Sequence, residues 1–146
     1  MALWQYEINI IPQGRKYLSA SSDEIISWKN INIPKDIDSC ISNILPLTSS
    51  WSDQIKIYGN HDSTCIEILF ENGHMEEILC RLDLRCLSKS MLTDILKFVK
   101  SINGEILIED KIVAPELNYV IPYIKNSNTA KFCSSPFEFF QQITKE

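Results

Sequence analysis

The sequence predicts one α+β domain over residues 1–146, a mostly antiparallel sheet with helices packed on it. Three observations carry that expectation. Strand-patterned runs succeed one another through residues 54–85 with no helix between them, which favours a meander over a doubly wound fold. Asn72-Gly73 inside that stretch is a hairpin signal. Beyond it, Met91, Leu92, Ile95, Leu96, Phe98, Val99 and Ile102 fall on one side of a helix.

The elements follow in order. Trp4, Tyr6, Ile8 and Ile10 alternate with Gln5, Glu7 and Asn9, which reads as a half-buried strand. Ser21 and Glu24 form a capping box for a short helix running through Trp28. Pro34 opens a second helix, whose stripe of Ile37, Cys40, Ile41, Ile44 and Leu45 is closed by Pro46. A polar loop anchored only by Trp51 comes next.

The sheet is expected to include residues 54–59, 64–71 and 75–85 in sequence order. A two-residue turn at Asn72-Gly73 would pair Phe70 with Met75 and Ile68 with Glu77, splitting the apolar residues between faces. A three-residue turn, Asn72-Gly73-His74, pairs Ile68 with Ile78 and Ile66 with Cys80 and is favoured. The opposite face then carries Glu67, Leu69, Glu71, Glu77, Leu79, Arg81, Asp83 and Arg85.

Ser88 begins the amphipathic helix over 89–102, and Asn103-Gly104 stops it. Ile106 and Ile108 read as a strand reaching towards Val113. Pro115 and Pro122 are expected to break the following segment into short helical pieces. Ser135, Pro136 and Glu138 open a last helix.

Composition excludes several functions. The first seven residues have no basic n-region, and no apolar run approaches the roughly 18 residues of a membrane span, so a cytoplasmic protein is expected. Five cysteines without a CxxC pair argue against a disulfide framework, and most should be small buried hydrophobes. Four glycines form neither a Walker loop nor a dinucleotide fingerprint, and no cofactor is expected. His61 and His74 stand at opposite ends of a strand, about 30 Å apart, too far for one metal site. Cys65 and His61 share a strand face but lie about 13 Å apart, too far for a nucleophilic pair. Arg81, Asp83 and Arg85 could grip a phosphate, but an ion-pair ladder is favoured because Asp83 neutralises its neighbours.

Charge is the informative feature. The net charge is −5, which argues against nucleic acid as a partner. Between Ile57 and Cys80 there is no Lys or Arg, while Asp62, Glu67, Glu71, Glu76 and Glu77 all fall there. Such a stretch can be a charged edge that guards against aggregation. Acids without a counter-ion repel one another, however, and a basic partner would relieve them. Asp62, Glu67, Leu69, Glu71, Glu76, Glu77 and Leu79 are therefore the candidate partner-binding residues, the leucines forming an apolar centre.

The stretch from Trp51-Ser52-Asp53 through Arg81-Leu82-Asp83-Leu84-Arg85, with the Ser135-Pro136-Phe137 tail, resembles small bacterial immunity proteins of contact-dependent and polymorphic toxin systems. The resemblance implies a cytoplasmic inhibitor that binds one cognate toxin and blocks its active site. Nucleases present basic clefts to phosphate backbones, so a nuclease toxin would suit an acidic surface. Immunity families share no functional residues, and none is carried over. A small hydrolase using Arg81, Asp83, His61 or His74, or a regulatory adaptor, is the alternative.

Overall fold

A computed structural model describes residues 1–14 and 27–135. It is an α+β domain built on a seven-stranded antiparallel sheet. The strands are β1 (Gln5–Pro12), β2 (Leu47–Thr48), β3 (Ile55–Gly59), β4 (Cys65–Glu71), β5 (His74–Asp83), β6 (Gly104–Ile108) and β7 (Lys111–Val113). Their order is β2-β3-β4-β5-β1-β6-β7. The expected meander is β3-β4-β5, and β1 is an interior strand, between β5 and β6.

The helices are α1 (Ile37–Ser42), α2 (Lys89–Ser101), α3 (Leu117–Lys125) and α4 (Asn128–Ser134). One sheet face, with Tyr6, Ile8, Ile66, Ile68, Ile78 and Ile106, packs on Ile41 of α1, Leu92, Ile95 and Val99 of α2, and Val120 of α3. The apolar stripe of α2 is the part of this core that helical periodicity locates directly. Ser88 caps α2, its hydroxyl accepting from the Met91 N–H at 3.0 Å. Asn103, at φ 55°, turns the chain out of the helix. Removing the cap in Ser88→Ala is expected to cost about 1 kcal/mol, read as a lower denaturation midpoint at constant m.

The register argument holds in the body of the hairpin. Ile68 pairs with Ile78 and Ile66 with Cys80. The turn itself differs from expectation. Phe70 pairs with Met75 and Glu71 with His74, leaving a two-residue turn in which Asn72 and Gly73 both have positive φ. The odd residue is taken up between the Leu69–Glu77 and Phe70–Met75 pairs, where Glu76 bulges out of β5. The bulge frees Glu76 to pair elsewhere: its carbonyl accepts from the Trp28 N–H at 2.9 Å, and its carboxylate from the Ser27 hydroxyl at 2.5 Å.

Other expectations are corrected. The strand near Ile106 is a second hairpin, β6–β7, turning at Glu109 and Asp110, both at positive φ. Pro122 lies inside α3 and does not end it. Leu47–Thr48 is an edge strand within the presumed loop, and Trp51 is 65% exposed, so it anchors nothing in the core. Gln5 is buried, and Trp4 precedes the strand. Of the cysteines only Cys65 and Cys80 are buried; all five are free. The Ser21–Glu24 box and the helix after Ser135 lie outside the described residues, and Ser135 itself ends α4. Among the described residues no helix is long and apolar enough to cross a membrane.

Candidate partner-binding surface

Four of the predicted residues form a checkerboard on the sheet face turned away from α2. Glu67 lies across the ladder from Leu79, and Leu69 lies across from Glu77. Both leucines are half-buried. Glu71 continues this face to the exposed hairpin tip. Glu77 is half-buried, and burial followed by the neighbouring Glu76 raises its carboxyl above the ordinary carboxylate value.

The expectation that these acids lack a counter-ion is wrong for Glu67. Arg81 Nη1 donates to its carboxylate at 2.6 Å, and the two side chains are only 17% and 12% exposed. The sequence window without bases ends at Cys80, but antiparallel pairing brings residue 81 back beside residue 67. Glu76 is likewise engaged, by Ser27. Asp62 is separated from the other candidates, in the β3–β4 loop at the opposite end of the hairpin, with its carboxylate 3.6 Å from His61 Nδ1. Among the described residues neither Glu71 nor Glu77 has an ion-pair partner.

The Arg81-Asp83-Arg85 group is not one ladder. Arg81 turns to Glu67, while Asp83 pairs with Arg85 at 2.8 Å. Asp83 is buried, and the Arg85 guanidinium holds its carboxyl down at about 2, against the opposing effect of burial. An acid held ionised in this way is a poor proton acceptor at neutral pH. Among the described residues no group of three His, Cys, Asp or Glu is placed to hold a metal ion.

Periodicity and charge counting missed the support of the β3–β4 loop. Trp4 Nε1 donates to the Asp62 carbonyl at 2.8 Å. Gln5 Nε2 donates to the carbonyls of His61 at 2.9 Å and Ser63 at 2.6 Å. The Ser63 hydroxyl donates to Asp83 at 2.8 Å, and the Asp83 N–H donates to Thr64 Oγ1 at 3.0 Å. The Arg85 guanidinium lies 4.0 Å over the Trp4 ring. Gly59 enters the loop at φ 90°, where an added Cβ would stand 2.4 Å from the Thr64 carbonyl oxygen. A glutamine at a polar position of an alternating strand carries no sign that it will be buried under a loop 56 residues away.

No protein-family model, curated protein or solved structure matches the chain.

Proposed function

We propose that the chain is a cytoplasmic immunity protein that binds a cognate basic toxin domain, such as a nuclease, and occludes its active site. The observation that supports this reading is the Leu69–Leu79 checkerboard on β4 and β5, where each leucine faces a glutamate across the ladder. The two candidate carboxylates on this face without an ion-pair partner among the described residues, Glu71 and Glu77, are groups left to meet a cationic surface. Glu77 is held at some cost: a half-buried carboxylate beside Glu76 is relieved when a lysine or arginine docks on it.

The roles divide by physics. Exposed charges steer the encounter, and half-buried leucines supply the dry contact that slows escape. Capture from the source cell with the chain as bait should yield one basic protein in stoichiometric amount. With that protein in hand, Glu71→Lys together with Glu77→Lys should slow association at low salt. The difference should shrink near 0.15 M salt, where the Debye length is about 8 Å. Leu69→Ala should mainly speed dissociation.

Glu77→Gln offers a further check with its sign fixed by the raised carboxyl. A group that holds its proton more tightly when folded penalises the fold once it ionises, as pH rises through its folded value. The neutral amide should therefore melt slightly higher than the parent at neutral pH and yet associate more slowly. Salt-independent association, or a Leu69→Ala variant that fails to fold, would overturn the assignment of this face.

A further inference from the structure

We propose that a cleft at the end of the sheet, between the β3–β4 loop and the start of α2, binds a small neutral organic molecule with an apolar body and a hydrogen-bond acceptor. The cleft is open to solvent and has a volume of about 720 Å³. That is the size of pocket that takes a drug-sized ligand. It is separate from the β4–β5 face and does not depend on that face's role.

Its lining has two sides. Leu45, Pro46, Leu87 and Met91 are its apolar lining. Ser49, Asn60, His61 and Ser88 bring polar groups to the wall and rim. Asn60 Oδ1 accepts from the Asp62 N–H at 2.9 Å, which leaves the side-chain NH2 to donate elsewhere. No Asp, Glu, Lys or Arg is among the described lining residues. A charged ligand would lose its hydration there without gaining a counter-ion, whereas a neutral one gives up little.

The wall is also braced, which separates a built site from a surface hollow. Three successive carbonyls, of His61, Asp62 and Ser63, are tied down by the side chains of Gln5 and Trp4. Ser63 and Thr64 are fixed to the buried Asp83. The Trp51 ring meets the His61 ring nearly edge-on, at 5.2 Å between centroids, and limits how the imidazole turns. Trp4, Gln5 and Asp83 thus hold the loop, and Asn60 and His61 line the cleft. A pre-ordered rim lowers the ordering cost of binding.

Nile red is a suitable probe, being neutral and apolar with one carbonyl acceptor. Titrated into the intact chain, it should bind saturably at one site with enhanced, blue-shifted emission, and it should shift the backbone amide resonances of Ser49, Asn60 and His61. Ser49→Trp, at an exposed position of the rim, should weaken binding by about tenfold or more without lowering the melting temperature. Cys86→Trp, at a second exposed lining position, should do the same and decides the matter should Ser49→Trp fold poorly. Non-saturable binding, unchanged affinity in both variants, or shifts confined to another surface would overturn the proposal.

Discussion

Replacing Trp28 with alanine should destabilise the domain by about 3–5 kcal/mol, the range for truncating a buried aromatic. Trp28 is 1% exposed and is among the largest fully buried side chains. Its indole N–H donates to the Ile10 carbonyl at 2.8 Å, and its backbone N–H to the bulged Glu76 at 2.9 Å. Truncation therefore opens a cavity against the helix-side core and leaves the Ile10 carbonyl without this donor. Trp28→Phe keeps much of the volume and loses the indole hydrogen bond, so it should cost about 1–2 kcal/mol, mostly that lost bond. Urea denaturation at constant m measures both. An alanine variant within 1 kcal/mol of the parent would mean that the packing of Trp28 is not what holds the bulged strand in place.

That bulge shows how far the sequence could be read. Ile66, Ile68 and Ile78 must share one face, and side chains alternate strictly along a strand, so the pairing in the hairpin body followed from the apolar pattern alone. Where the odd residue would go did not follow. A three-residue turn and a bulge at Glu76 place the same isoleucines together, and the choice was made by Ser27 and Trp28, distant in sequence. The Glu109–Asp110 turn was hidden for a local reason, because glutamate seldom adopts positive φ and gives no turn signal.

The interior place of β1 was visible only in hindsight. Ile11 is buried as well as Ile8 and Ile10, as befits a strand covered on both sides, but its pairing with β5 and β6 is a long-range choice. For the candidate surface, counting charges along the chain found the acids and missed the base opposite one of them. Leu69, Glu71, Glu77 and Leu79 do lie together; Glu67 comes with Arg81 attached, and Asp62 belongs to the far loop.

The second large effect is expected at Asp83. Its side chain is 1% exposed, and its oxygens accept from the Ser63 hydroxyl and from the Arg85 backbone N–H, Nε and Nη2, at 2.8–3.0 Å. Asp83→Ala strands the hydroxyl and backbone donors beside a cavity. Arg85 is half exposed and stays solvated, so the loss is smaller than for a fully buried pair, at about 2–4 kcal/mol. Acid pH tests the same contacts with a definite sign. Arg85 lowers the carboxyl from the ordinary 3.8 to about 2 on folding, so the unfolded chain takes up the proton first. Stability from this group is complete above pH 3.8 and drains away as pH falls towards about 2. Asp83→Asn cannot titrate, so it should start less stable and lose less between pH 4 and pH 2, giving a flatter acid limb in thermal melts. Because the Asp83 carboxylate also anchors Ser63, hydrogen exchange in residues 60–64 should accelerate in the same variant more than in β6 or α2. Parallel acid limbs in the two proteins, or uniform exchange across the domain, would show that Asp83 does not brace the loop that walls the cleft.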